Sequence, residues 1–267
     1  MNAEIFNERR EYENPSGVAS AQAPSPEPIV SIIIPTLKEE QFLERTLKNF
    51  RHFELPHEII VSDGGSKDRT LEIARQYTDK VVVWSESRRQ TFGEAKNAGA
   101  AIARGKYLVF IDADVDITEP DVFFKKTLAE FEKWPALLAM TVSLVPWADN
   151  RSLIDDLFCA PLNIWYIISN NIFHYGNASG EFQMIRAEAF KKVGGYRQDL
   201  AGGEDTDMFN RLGKMGRTHS HWQLYARHSC RRAHKTGWLK LYWMWMRQGF
   251  AVLLLKHTAY KEWTVIR

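Results

Sequence analysis

Residues 29–35, Ile-Val-Ser-Ile-Ile-Ile-Pro, form an unbroken apolar and largely β-branched run. A run with no polar face suits a strand covered on both sides, as in a parallel sheet sandwiched between helices. Similar short stretches follow at 58–62, 80–84 and 107–111. Between them lie three helical stretches: 39–51, where Phe42, Leu43, Leu47 and Phe50 follow i, i+4 spacing, then 70–77, then the alanine-rich 93–104. Strands alternating with helices at these distances mean βαβ units and a parallel sheet. After residue 114 the pattern loosens. Helices are expected at 122–133, 188–193 and 204–215, and a strand at 136–144. Residues 153–172 are apolar but contain Asp155, Asp156, Pro161 and Asn163, so a helical insert is expected there and not a membrane span.

In such a sheet, ligands gather at the carboxyl ends of the strands. The first strand ends in Pro35-Thr36 with Glu39 nearby, the second in Asp63-Gly-Gly-Ser-x-Asp68, and the fourth in Asp112-Ala-Asp114. Several carboxylates converging on one crevice are costly unless a cation is present. Mg²⁺ or Mn²⁺, which prefer oxygen ligands and also bind phosphates, would meet that need. In an extended segment the two acids of Asp-x-Asp point to the same side. One can hold the metal while the other holds a sugar hydroxyl or a metal-bound water. Asp63 could accept from a uracil imide or a ribose hydroxyl, or the stretch could be a plain turn with Asp68 as helix N-cap. Lys96 could meet a phosphate, pair with Asp63, or lie solvated on its helix.

The ordered motifs Ile-Ile-Ile-Pro-Thr-x-x-Glu, Val-Ser-Asp-Gly-Gly-Ser-x-Asp-x-Thr, Gly-x-Ala-Lys-Asn-x-Gly, Phe-Ile-Asp-Ala-Asp and Gly-Gly-Glu-Asp-x-Asp resemble glycosyltransferase family 2. The resemblance covers about residues 30–217. It implies the α/β GT-A fold, a mostly parallel Rossmann-like central sheet with flanking helices and a helical C-terminal extension. It implies an inverting transferase that moves a sugar from a UDP- or GDP-linked donor to a lipid or glycan acceptor, with Mn²⁺ or Mg²⁺. Pro35, Thr36, Glu39, Asp63, Lys96 and Asp112 would line the nucleotide site, and Asp112 and Asp114 would hold the metal, with His228 or His234 as a third ligand. Asp205 would be the general base, with Glu204 beside it. Glu181 and Gln183, alternating with Phe182 and Met184 on a half-buried strand at 180–186, would face the donor sugar or acceptor together with Gly203. Arg231, Arg232 and Lys235 would close over the diphosphate. The sequence departs from the family's pattern at Ser62, where an aspartate is common, and at Leu37-Lys38, where Tyr-Asn is common. Two rival readings are a nucleotidyltransferase and a non-catalytic sugar-nucleotide or glycan-binding protein of the same fold. The first lacks the expected Gly-rich basic loop after strand one, and the intact Asp112, Asp114 and Asp205 speak against the second.

On this reading the 267 residues divide into a disordered leader at 1–28, a catalytic domain at 29–220 and a basic, aromatic helical extension at 221–267. The catalytic domain splits into a nucleotide-binding half at 29–115 and an acceptor half at 116–220. Net charge is only +2, yet residues 208–267 hold 12 Lys+Arg and a single acid, Glu262. That imbalance points the tail at anions, among them acidic lipids; nucleic acid is not an expected partner. Residues 238–256 are apolar nearly all round, which fits a helix at a membrane interface or one buried against the domain. Two cysteines make no disulfide framework, and no export signal opens the chain. A cytoplasmic location, with contact at the inner face of the membrane, is expected.

Overall fold

The computed structural model describes residues 27–149, 151–255 and 257–260. Most of the leader expected at 1–28, Lys256, and residues 261–267 of the basic tail lie outside the described residues. The four apolar runs form β1 (Val30–Thr36), β2 (His57–Asp63), β3 (Val81–Val83) and β4 (Tyr107–Ile111), all parallel to their neighbours in this group. They are joined by α1 (Leu43–Lys48), α2 (Thr70–Arg75) and α3 (Phe92–Ala101). Helix α1 is shorter than the apolar spacing predicts. The Asn49 side chain donates to the carbonyls of Arg45 and Thr46, which satisfies the last turn and ends the helix. Helix α3 starts on a full capping box between Thr91 and Glu94. It lies so close to β1 that a Cβ at Gly99 would come within 2.5 Å of Ile33 Cγ2. Lys96, three residues earlier on the same helix face, is thereby brought to the carboxyl edge of the sheet.

The second half continues through β5 (Val115–Asp116), α4 (Pro120–Lys133), β6 (Leu137–Pro146) and α5 (Leu153–Ile167) with a π-helical turn at Ile168–Ile172. Then come β7 (Phe182–Arg186), α6 (Ala187–Lys192), α7 (Glu204–Gly213) and β8 (Arg217–His228). The described chain closes with α8 (Arg231–Thr236), α9 (Trp238–Phe250) and a second π-helical turn at Ala251–Leu255. The eight strands make one mixed sheet in the order β3-β2-β1-β4-β7-β6-β8-β5. Strand β7 lies between β4 and β6, antiparallel to both. Both of its edges are therefore paired, and Gln183 is fully buried beneath Asp205 and Tyr196 where one polar, open face was expected.

Strand β8 is the main departure from the sequence reading, and it runs straight through the boundary drawn at 220. It pairs in parallel with β6, and its last residues pair with β5. Its inward positions include Thr218 and Ser220 as well as Leu224 and Ala226, so the apolar alternation that marks a strand is half missing. Residues 221–228 thus belong to the sheet, and the helical extension begins only at α8.

That extension is fastened to α5. Asp155, buried in the first turn of α5, accepts from the Ser152 backbone N–H and hydroxyl, from His234 Nε2 at 2.9 Å and from Trp238 Nε1 at 2.8 Å. The Phe158 and Trp238 rings stack, with centroids 5.3 Å apart. Burial alone would raise the Asp155 pKa, but the donors from Trp238, Ser152 and His234 outweigh it and hold the carboxyl at about 2. A carboxylate depressed in this way stabilises the fold above its unfolded value and loses that contribution as pH falls through its folded value. We therefore expect the stability difference between wild type and Asp155→Asn, about 2 kcal/mol at neutral pH, to shrink as pH drops from about 4 toward 2. Urea unfolding across that range checks this; a difference independent of pH would mean that Asp155 does not fasten the tail.

Candidate active site

The carboxyl edge of β1, β2 and β4 collects the polar residues that the sequence singled out. Pro35 and Thr36 end β1 in register with Ser62 and Asp63 of β2. Asp63 is fully buried and its carboxylate is well used. Oδ1 accepts from the backbone N–H groups of Gly65 (2.9 Å) and Ser66 (2.7 Å), and Oδ2 from the hydroxyls of Thr36 (2.9 Å) and Ser66 (2.6 Å). It thus holds the Asp-Gly-Gly-Ser turn in shape, with Gly65 at φ +85°, a conformation that a residue with a Cβ rarely adopts.

Lys96 is 1% exposed and reaches two acids from the opposite end of the motif series. Its Nζ donates to Glu204 Oε1 at 2.9 Å and to Asp205 Oδ1. The lysine pairs with these acids and not with Asp63. The two negative charges, Asp205 foremost, outweigh the effect of burial and hold the ammonium well above its ordinary pKa. Gln183 Nε2 donates to the same Asp205 Oδ1 at 2.5 Å, and Tyr196 donates its hydroxyl to Gln183 Oε1 at 2.6 Å. Gln183 is thus a positioning residue beneath Asp205. The Asp205 Oδ2 atom faces the other way. A Cβ built on Gly180 would sit 3.1 Å from it and 3.2 Å from Asp112 Oδ2. The glycine leaves open the ground between these two carboxylates.

Asp112 follows β4 directly, with Glu181, Asp114 and Asp205 as negative neighbours. Burial, and then the charge of Glu181, push its pKa well above the usual carboxylate range, with only Lys96 prominent on the other side. Glu204 is raised to about 7 by burial and by Asp205, against the pull of Lys96. Asp114 is held from the tail: Ser229 donates its hydroxyl to Asp114 Oδ2, and Arg231 Nε lies 3.1 Å from the same atom. The Arg231 guanidinium also forks onto Glu39, with Nη1 and Nη2 at 2.7 and 2.9 Å. Arg232, close behind, interacts electrostatically with Asp112, Glu181 and Asp114.

Not every expected residue joins this group. His234 is turned to Asp155, away from the carboxylates, because it faces α5 from α8. Lys235 is exposed on α8. His228 comes nearer, with Nδ1 3.8 Å from Glu181 Oε1, but its Nε2 faces the Cys230 sulfur. Burial would lower its pKa, but the neighbouring Cys159 and Glu181 raise it to about 9. Gly203, with φ +77°, sits beneath the C-terminal segment: a Cβ there would lie 3.1 Å from Val252 and 3.3 Å from Gln248. The close fit that the glycine pair allows is with the tail. Sequence reasoning passed over Gly180, Tyr196 and Ser229. Gly180 opens the half-buried strand expected at 180–186 and Ser229 adjoins His228, whereas nothing local marks Tyr196.

The carboxylate donors Asp112 and Asp114 fit a hard divalent cation. They are crowded, partly or fully buried, and already drawn to the cationic Arg231.

A four-stranded parallel unit ending in Asp-x-Asp, extended by antiparallel β7 and a returning β8, defines the GT-A class of fold. The chain belongs to glycosyl transferase family 2, whose match covers residues 31–194. The mannosyltransferase PcManGT from Pyrobaculum calidifontis, solved with GDP-Man and Mn²⁺, aligns at a TM-score of 0.65 and 21% identity over 93% of this chain and 70% of its own. Validoxylamine A glucosyltransferase of Streptomyces hygroscopicus subsp. limoneus is 35% identical over 33% of this chain and 21% of its own length. Succinoglycan biosynthesis protein ExoA of Rhizobium meliloti is 28% identical over 69% of this chain and 58% of its own. The chain thus spans less than two thirds of either of these curated relatives.

The Lys96 contacts generate a test. Lys96→Met leaves Glu204 and Asp205 without their shared cation and is expected to cost about 3–5 kcal/mol in urea unfolding. Adding Glu204→Gln, which removes one of the stranded charges, should recover part of that loss. A single variant within about 0.5 kcal/mol of wild type would show that the cation is not needed.

Proposed function

We propose that this protein is an inverting glycosyltransferase that moves a sugar from a nucleotide-diphosphate donor to a hydroxyl or phosphate oxygen of a lipid or glycan. One observation carries the reading: Asp112 and Asp205 flank the gap left by Gly180 at the end of β4, beside Asp114. Lys96 and Gln183 both hold Asp205 through Oδ1, which leaves Oδ2 turned to that gap, where an acceptor hydroxyl can give up its proton. Glu204 shares Lys96 and helps keep it in place. Asp112 and Asp114 would hold Mn²⁺ or Mg²⁺, an ion whose charge offsets that of the departing diphosphate. Arg231 and Arg232 stand beside the same carboxylates, where they can turn to the diphosphate. The donor carried by PcManGT and the glycan named for ExoA agree with this class of substrates and leave the sugar open.

Two variants test the assignment. Asp114→Asn should abolish Mn²⁺-dependent binding of nucleotide diphosphates in calorimetry while the protein stays folded. Asp205→Asn should bind donor as wild type does and lower kcat about 10²–10⁴-fold. Loss of donor affinity with kcat preserved would move the base elsewhere. Absence of any sugar-nucleotide turnover or hydrolysis by the wild type, with Mn²⁺ present and nucleotide bound, would favour a binding protein.

We further propose that the protein works against an anionic lipid surface. Leu239, Trp243, Met246 and Phe250 are exposed along α9, and Leu153 and Leu157 along α5, with Lys240 and Arg247 among them. A hollow of about 480 Å³ opens between α9 and the turn that follows it, lined by Trp243, Met246 and Phe250. Among the described residues no helix is long and apolar enough to cross a membrane. Trp245 packs inward against Trp238 and Tyr242, so it does not share this role. Wild-type protein should sediment with phosphatidylserine-containing vesicles at low salt and less so at high salt, because exposed charges are screened within about 8 Å at 0.15 M. Trp243→Ser with Met246→Ser should weaken sedimentation. Failure of the wild type to sediment would end the proposal.

A further inference from the structure

A second cluster of reactive side chains lies beside the carboxylates and plays no part in the transfer proposed above. Cys159 of α5, His228 at the end of β8 and Cys230 two residues later hold two sulfurs and an imidazole nitrogen within 4.8 Å of one another. Both cysteines are buried and neither is in a disulfide. The Cys230 Sγ to His228 Nε2 distance is 3.6 Å. A tetrahedral centre with zinc–sulfur bonds of about 2.3 Å and zinc–nitrogen bonds of about 2.0–2.1 Å has a sulfur–nitrogen edge of about 3.6 Å. One edge of such a centre is therefore already in place.

Two further observations point the same way. The other ring nitrogen of His228 faces Glu181 Oε1 at 3.8 Å. The distance is too long for a direct hydrogen bond, but the carboxylate's charge favours a proton on Nδ1, so Nε2 is the nitrogen left for a metal. Cys230 is also held in the left-handed region, with φ +51°, which residues other than glycine seldom adopt. Through that turn the segment serves two sites at once. His228 and Cys230 meet Cys159, while Ser229 and Arg231 meet Asp114. Ala233, Trp238 and Leu241 pack with both cysteines as an apolar wall.

We propose that Cys159, His228 and Cys230 bind one Zn²⁺ ion, which clamps α5 to the β8–α8 junction and so fixes the segment that holds Asp114. Two thiolates and an imidazole select a borderline-soft ion, whereas the neighbouring carboxylates select Mg²⁺ or Mn²⁺. Binding releases the protons carried by the two thiols and by His228 Nε2 to solvent, and water takes the fourth position. The assignment does not rest on the glycosyltransferase reading.

The test uses reduced, metal-free, full-length protein titrated with Co²⁺ and then Zn²⁺. One Co²⁺ per chain should give thiolate-to-metal charge-transfer absorption with tetrahedral visible bands, and Zn²⁺ should displace it. Co²⁺ held by Asp112 and Asp114 would give no thiolate band, and Asp114→Asn should leave the thiolate signal unchanged. The double variant Cys159→Ser/Cys230→Ser should lose that signal, and Glu181→Gln should weaken Zn²⁺ binding about 10–100-fold. Wild-type protein supplies a readout that does not depend on whether a variant folds: Zn²⁺ should slow alkylation of both thiols by iodoacetamide, and a chelator should restore it. Absence of the thiolate band at saturating Co²⁺ would overturn the proposal. So would a Cys159–Cys230 disulfide that forms in air and, once reduced, takes up no Zn²⁺.

Discussion

Buried negative charge needs a cation, and the organisation of this protein around the carboxyl edge of β4 follows from that requirement. Asp112, Asp205 and Glu204 converge there from two motifs about ninety residues apart in the chain. Desolvation penalises Asp112 and Glu204, and the charge of Asp205 adds to the penalty on both. Lys96 meets part of this demand from within the fold and is itself buried so completely that it stays charged only because two carboxylates face it. A buried cluster of this kind is a weak source of net stability but a strong constraint on geometry, since every member must keep its partner. That constraint explains the close seat of α3 on β1 at Gly99, which sets where Lys96 stands.

Asp114 and Glu39 draw their cation from elsewhere. Arg231 joins them, and it comes from the junction between the last strand and the C-terminal helices. The strongly basic tail is therefore partly an internal counter-charge as well as a surface feature. The tail also reaches the loop before α7: Gln248 donates to the Gly202 carbonyl at 2.5 Å, just ahead of Glu204 and Asp205. Through α5, β8 and α9, the C-terminal segment that a sequence reader would trim as an appendage buttresses both ends of the carboxylate group.

The same segment explains how an apolar helix can serve two surfaces. Trp238, Leu241 and Trp245 of α9 pack toward Cys159 and Phe158, and Leu239, Trp243 and Met246 point outward. A stretch that is apolar all round thus has one face in the protein and one face available for lipid. Neither of the two uses weighed for it from the sequence excludes the other.

The parallel half of the fold was legible in the sequence because continuous apolar runs between amphipathic helices have few alternative structures, and Tyr107–Ile111 was placed to the residue. The strand-end motifs were legible for the same reason: a strand end in a parallel sheet fixes where its next residues go. β8 was not legible, because Thr218 and Ser220 occupy inward positions and hide the alternation, and only pairing with β6 makes that segment a strand. Nor could local sequence show that Gln183 would be buried, since this depends on Tyr196 and Asp205 packing onto that face of β7. The partners of Lys96, Asp114 and His228 were likewise out of reach. Local sequence states which groups can ionise, but which opposite charge lies within 3 or 4 Å depends on contacts between residues as many as 192 positions apart. Composition and strand order thus determined the class of fold and the edge where the acidic motifs gather, and tertiary packing alone decided which cation each buried carboxylate received.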